Sequence, residues 1–308
     1  MRSNEMRKAF TMIELLFVIV VLGIVGGFAL ELIRQYYEGI YRTQEYTKRV
    51  TQADQILDQL TKYFETAIGS SIVNLDRGTT TDCYGSPVGG DTNDYTVAFI
   101  GVDEDSLRGI NGRPGWSEET LLEANNVLRA SDANYTMANT VITALGSTLT
   151  GSAIYDSDSA DVDACTRFGL NIGATGSAGF HTISASEMTT LTLNTDNNAT
   201  NGKRKYLLRT GYAFRVDDNG NFTMYSNFRP WVAGQRYNTA PNQNLLGQKV
   251  AHFYVDYDTH DFQANPDLND RGLVWRLKVC MQGVDNTLND TDDSASQICR
   301  ERRVHVRY

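Results

Sequence analysis

Glu14 is the single ionisable side chain between Lys8 and Glu31, inside a run that reads Phe-Thr-Met-Ile-Glu-Leu-Leu-Phe-Val-Ile-Val-Val-Leu-Gly-Ile. A carboxylate at the centre of a bilayer helix costs roughly 2.5–3.5 kcal/mol, so a chain that keeps one there needs a cation to pair with it. Four cysteines, Cys83, Cys165, Cys280 and Cys299, offer a second chemistry. In an oxidising compartment an even count implies disulfides, and four cysteines allow three pairings. A metal site is the competing reading of the four, but they have neither CxxC spacing nor histidines nearby. Two acidic stretches, Asp156, Asp158, Asp161 and Asp163, and Asp285, Asp290, Asp292 and Asp293, could furnish oxygen ligands to Ca²⁺, although neither follows the spacing of an EF-hand loop. His181, His252, His260 and His305 are scattered, and no Gly-x-Ser-x-Gly or phosphate-binding loop is present. The reading is therefore of a protein that is not an enzyme.

These groups must be positioned by two kinds of element. Residues 10–30 make a helix of about 30 Å, which matches the hydrocarbon core of a bilayer. Arg2, Arg7 and Lys8 precede it and a long acidic remainder follows, so the positive-inside bias places the short end in the cytoplasm and exports the rest. From residue 31 to about 68 there is no proline and one glycine, Gly39. Val50, Ala53, Ile56, Leu57, Leu60, Tyr63, Phe64, Ala67 and Ile68 recur there at helical spacing, which predicts an amphipathic continuation whose stripe packs on the chain's own sheet. Tyr36, Tyr37, Ile40 and Tyr41 suit an interfacial aromatic belt where the helix leaves the membrane.

Beyond the helix, residues 69–308 read as an exported, β-rich domain. Strands are predicted at 95–102, 180–186, 189–194, 205–210, 211–216, 221–227, 249–257, 272–282 and 298–308, with a tight turn at Asp217-Asp218-Asn219-Gly220. Residues 117–130 read as a short helix capped by Ser117 with acidic residues in its first turn. The fold class is α+β, a long helix followed by an antiparallel sheet. Cys280 and Cys299 fall on the last two predicted strands, which favours Cys280–Cys299 and, by remainder, Cys83–Cys165. No cofactor is implied.

Arg7-Lys8-Ala9-Phe10-Thr11-Met12-Ile13-Glu14, with the apolar run behind it, resembles the leader of type IV pilins and type II secretion pseudopilins. The resemblance covers about the first 25 residues. It implies that residues 1–9 are a cytoplasmic leader cut between Ala9 and Phe10 by a prepilin peptidase, which also N-methylates Phe10; the family usually has Gly where this chain has Ala9. The new amine of Phe10 and the carboxylate of Glu14 would then neutralise one another, within a chain or between neighbours, and fix axial register when helices bundle. Gly23, Gly26 and Gly27 would permit close helix packing. The long helix, elaborate middle and antiparallel C-terminal half are similar to the larger minor pilins and J-type minor pseudopilins. Implied partners are other subunits through the N-terminal helix, the peptidase, an inner-membrane assembly platform and the bilayer.

Two plainer readings of the N-terminus were weighed. A secretory signal peptide accounts for the basic start but has a shorter apolar core and no internal carboxylate; a plain single-pass anchor accounts for the length but not for Glu14. A net charge of −9 and a pI near 5.0 do not attract nucleic acid by default. Arg300, Arg302, Arg303, His305 and Arg307 make one basic cluster on the last strand, for which a solvated or interface-facing strand is the first reading and DNA contact the second. Asn134 and Asn198 lie in sequences that fit a bacterial glycosylation pattern. The expected function is that of a low-copy filament subunit at a priming or tip position; the alternative is a membrane-tethered adhesin or DNA-uptake module that uses the same leader.

Overall fold

The computed structural model describes residues 12–76, 83, 95–109, 112–156, 165, 168–170, 180–194, 204–232, 234–257, 274–283 and 297–306. Helix α1 runs Met12–Phe64, 53 residues, or roughly 80 Å at 1.5 Å per residue. By contacts the chain divides into two compact units, Met1–Arg49 and Val50–Tyr308. The described part of the first is helix alone, and its apolar side chains from Met12 to Ile33 are solvent-accessible. The second unit takes in the amphipathic end of α1.

In the second unit α1 does what its pattern dictates. Ala53, Ile56, Leu57, Leu60 and Phe64 are all at most 1% exposed, one face of a 3.6-residue repeat. The helix stops at Phe64, four residues before the predicted end. Thr66 and Ala67 tighten into i to i−3 bonds, and the Ile68 amide then donates to the Ile100 carbonyl at 2.9 Å. Ala67 and Ile68 continue the apolar stripe in sequence, but the sheet captures their backbone.

The strands are β1 (Val73–Asp76), β2 (Tyr95–Val102), β3 (Leu121–Glu123), β4 (Val127–Arg129), β5 (Ala153–Asp156), β6 (Phe180–Ser186), β7 (Thr190–Leu193), β8 (Lys205–Val216), β9 (Phe222–Phe228), β10 (Asn242–Gly247), β11 (Val250–Tyr257), β12 (Val274–Met281) and β13 (Ile298–His305). All pairings are antiparallel. One sheet has ten strands along the path β1-β2-β8-β5-β6-β7-β4-β3, with β9 and β10 branching from β8; the other is β11-β12-β13. The branch exists because β8 is long. Its first residues, Lys205 to Leu208, pair with β5, and its later ones, Gly211 to Val216, pair with β9 on the same edge, while β2 occupies the other edge.

Two hydrophobic clusters hold the unit together. One joins the α1 stripe to Val97 and Phe99 of β2, Phe214 of β8, Phe222 of β9 and Phe253, Trp275, Leu277 and Val279 of the small sheet. Phe64 sits 4.6 Å from Phe99, centroid to centroid, in a tilted aromatic contact. The other cluster gathers Trp116, Tyr135, Phe168, Phe180 and Trp231 with Leu207 and Leu208.

Residues 117–130 are not a helix. They form the β3–β4 hairpin, turned by Asn125 and Asn126, which both take left-handed backbone (φ 64° and 56°). Asparagine tolerates that region better than most residues, and two in succession terminate any helix. Ser117 still caps locally, accepting from the Glu119 amide at 3.3 Å, but the turn it closes leads into a strand. Two further helices went unpredicted: α2 (Glu104–Leu107) and α3 (Tyr135–Ala144), the latter capped by Asn134, whose side chain accepts from the Met137 amide at 3.1 Å.

Candidate functional site

The N-terminal helix carries the first candidate surface. Between Met12 and Leu30 its one charged residue is Glu14, in the first turn of described helix, and the segment is long and apolar enough to cross a bilayer, with a mean hydropathy of 2.7 over its best window. Ala9 and Phe10, the predicted cleavage and methylation positions, lie outside the described residues. Cβ atoms built on Gly23, Gly26 or Gly27 would meet nothing within 4 Å, so the chain's own packing does not require glycine there. At the end of the apolar stretch Gln35 donates to Glu31 at 3.2 Å and Arg34 to Glu38 at 2.9 Å, each pair one helical turn apart. The ring of Tyr36 meets that of Tyr37 edge-on at 6.1 Å, and both stay exposed with Tyr41 and Tyr46. An apolar cylinder that becomes tyrosine-rich and then charged suits passage from hydrocarbon through interface to water.

The cysteines form two disulfides, Cys280–Cys299 and Cys83–Cys165. Cys280 and Cys299 are directly opposite each other in the β12–β13 ladder, with Cα atoms 4.0 Å apart. Cys83 also bridges to Leu75 of β1, while Cys165 is buried beside Phe168, so the second disulfide ties the irregular middle of the chain to the core.

The acidic stretches divide. Asp158, Asp161, Asp163, Asp285, Asp290, Asp292 and Asp293 lie outside the described residues. Asp156 is not a loop ligand. It ends β5 opposite Lys205, is 5% exposed, and its Oδ2 lies 3.4 Å from the Lys205 ammonium, which is itself buried. A buried carboxylate neutralised by a lysine is committed to the fold. Among the described residues no group of three or more His, Cys, Asp or Glu could hold a metal. The described histidines lie on different strands: His181 is buried on β6, His252 lies on β11 beside Tyr254, and His305 ends β13; His260 lies outside the described residues.

Two of the five residues of the basic cluster pair with α1, and Arg307 lies outside the described residues. Arg300 lies 3.7 Å from Asp54, and Arg302 pairs with Asp58 one turn further along the helix. These two arginines alternate with Glu301 and Arg303 on β13, so one face of the edge strand reaches back to α1 while the other stays in solvent. On that outer face Arg276 pairs with Asp256 at 2.8 Å, and the Lys278 ammonium stands 5.4 Å from the centre of the Tyr254 ring.

Sequence reasoning missed a buried polar node behind β2. The Asp103 side chain is fully buried, accepts from the Ser106 hydroxyl, and lies 3.5 Å from Nε of Arg209, which also reaches Asp105 at 3.4 Å. Trp116 Nε1 donates to the Asp103 carbonyl at 2.8 Å. Burial pushes the Asp103 carboxyl above its ordinary value, against the opposing pull of Ser106 and Arg209. The node fixes the start of α2 and the descent of the chain toward Trp116; it is a structural joint, and no signal of spacing in the sequence marks it. No family model, curated protein or solved structure matches this chain.

Proposed function

We propose that this chain is a structural subunit of a membrane-derived filament, a minor pilin or pseudopilin of a type IV pilus or type II secretion-like system. In this reading a prepilin peptidase removes residues 1–9, the helix holds the subunit in the inner membrane with the head on the far side, and an assembly platform draws it into a filament through the same helix. The observation that carries the proposal is one carboxylate, Glu14, in an otherwise uncharged and outward-facing helix that begins where Arg7-Lys8-Ala9-Phe10 ends. A charge kept at that depth is a pairing device, and an amine released at Phe10 is a cation at the right end of the helix to meet it. The arrangement of a long helix whose C-terminal end, Ala53 to Phe64, packs on an antiparallel head supports the same reading. The size of the head favours a priming or tip position, since a bulky domain is awkward to repeat along a thin fibre. Pairing of Arg300 and Arg302 with Asp54 and Asp58 accounts for those two basic residues without nucleic acid.

The test is Glu14→Ala in the native host. The variant should still be cut after Ala9, as read by intact mass, and its head should melt as the parent does, while its recovery in sheared filaments falls at least about ten-fold, the scale expected when a buried charge loses its partner. Normal incorporation of the Glu14→Ala chain would sink the proposal.

A further inference from the structure

The segment between β9 and β10 and the end of α3 enclose a polar cavity of about 240 Å³, lined among others by Ser147, Asn227, Arg229, Gln235 and Thr239. Arg229 is half-buried there. Its Nε donates to Gln235 Oε1 at 3.3 Å and its Nη1 to the Gly151 carbonyl at 3.3 Å, both neutral acceptors, and among the described residues no carboxylate pairs with it. A guanidinium whose protein contacts are all neutral keeps its remaining N–H groups available to an anion that enters the cavity.

The surroundings are built to present this cation. A Cβ on Gly151 would meet Nη1, so the guanidinium lies directly against this glycine. The same Gly151 carbonyl accepts from Trp231 Nε1 at 3.1 Å, which fixes the strap beneath the arginine. Gln235 Oε1 receives both the backbone amide and Nε of Arg229, so its NH₂ is turned away and free to donate to a ligand. Asn227 holds a left-handed backbone, φ 66°, which is costly for a residue other than glycine and brings its amide to the cavity with Nδ2 3.5 Å from the Gly146 carbonyl. The wall thus offers a forked cation, two side-chain amides and the Ser147 hydroxyl, while the Thr239 hydroxyl is engaged with the Arg236 backbone. At 240 Å³ it lies below the roughly 300–1,000 Å³ typical of drug-sized ligands, which leaves room for one small ring.

We infer that this cavity binds a carboxylated monosaccharide unit, with the carboxylate bidentate on Arg229 and ring hydroxyls on Asn227, Gln235 and Ser147. A uronate satisfies each group: the fork wants a planar anion, and the amides and the Ser147 hydroxyl want a ligand dense in hydroxyls. The inference concerns the head and stands whether or not the chain builds filaments.

Titration calorimetry on the full chain, in a detergent without a sugar headgroup, tests it with glucuronate and galacturonate against glucose and inorganic phosphate. Saturable binding of a uronate is expected, with glucose at least about ten-fold weaker because it lacks the charge-assisted fork. Arg229→Gln should lose about ten-fold or more, with its melting temperature checked in parallel. Asn227→Gly is the control for folding, since glycine accepts the left-handed backbone while deleting the amide, and it should weaken uronate binding without loss of stability. No uronate binding, equal binding of glucose, binding of phosphate alone, or uronate affinity unchanged in both variants would each overturn the assignment.

Discussion

The two disulfides close loops of very different length, and their contributions to stability should differ with the logarithm of that length. Cys83–Cys165 spans 82 residues and Cys280–Cys299 spans 19. If a disulfide acts by restricting the unfolded chain, the first contributes about 4.5 kcal/mol and the second about 3.2 kcal/mol, a gap of about 1.3 kcal/mol. The opposing view follows from the fold. Cys280 and Cys299 sit inside an eight-residue ladder of β12 and β13, where a crosslink could stiffen an edge strand of the native state, whereas Cys83 belongs to no strand beyond an isolated bridge. Replacing each pair with alanine and following urea unfolding of the full chain by tryptophan fluorescence separates the two accounts. The chain-entropy account requires the Cys83→Ala/Cys165→Ala variant to be the less stable, by roughly 3–5 °C in melting temperature for a head of this size. Cys165 is 3% exposed in the core, so part of any loss there is packing; the Cys280→Ala/Cys299→Ala variant under reducing conditions, which opens Cys83–Cys165 alone and keeps its sulfurs in place, provides the correction. If the reduced chain and the variants rank the short loop as equal or costlier, the reasoning from loop length is wrong and native-state locking of β13 governs.

Two other perturbations follow from the interior of the head. Burial raises the Asp103 carboxyl above its ordinary 3.8, so the native state holds its proton more tightly than the unfolded chain. The stability this supplies is fully present below about pH 3.8 and is lost as pH rises through the folded-state value. Asp103→Asn, which mimics the protonated form, should therefore gain on the parent as pH rises across that window, read from urea midpoints at successive pH values; a constant difference would refute the shift. Gly115→Ala places a Cβ against the Ser106 carbonyl, a backbone atom held by the Gly115 amide at 3.0 Å, and should cost about 1–3 kcal/mol in the same assay, with an unchanged midpoint counting against the geometry.

What the sequence disclosed, it disclosed through periodicity. The helix was legible because Leu57, Leu60 and Phe64 recur on one face, and β2, β6 and β11 were legible because β-branched and aromatic residues cluster between turn residues. The disulfide pairing followed from placing Cys280 and Cys299 on adjacent strands. Short elements hid. Strand β5 has four residues buried on both faces, so Ala153–Asp156 shows no alternation, and α3 is rich in Thr, Val and Ile, which depress helix propensity although Asn134 and Gly146 punctuate its two ends. A helix over 117–130 is predicted because acidic residues after a serine are an N-terminal helix signal, and the left-handed Asn125-Asn126 pair overrides that signal. The cavity around Arg229 was illegible for another reason. Its walls come from the end of α3, the end of β9 and the chain before β10, which no spacing rule connects.

The helix shows how a single periodic element can serve two solvents. From residue 50 onward one stripe is buried and the opposite face is charged, the pattern of a helix that has found its partner inside the same chain. From Met12 to Ile33 apolar side chains face every direction and remain accessible, so no stripe selects a partner and the segment's requirement is an apolar environment on all sides. A bilayer supplies that, and so does a bundle of like helices. An apolar cylinder alone cannot distinguish between them or fix its axial position in either. In the proposed assembly Glu14 would, because a charge in such a cylinder is tolerated only at depths where a cation waits, and that would restrict the positions at which neighbouring helices can stack. The residue least compatible with its surroundings is thus the one that carries positional information, which is why the decisive experiment on function is made at residue 14 and not in the well-packed head.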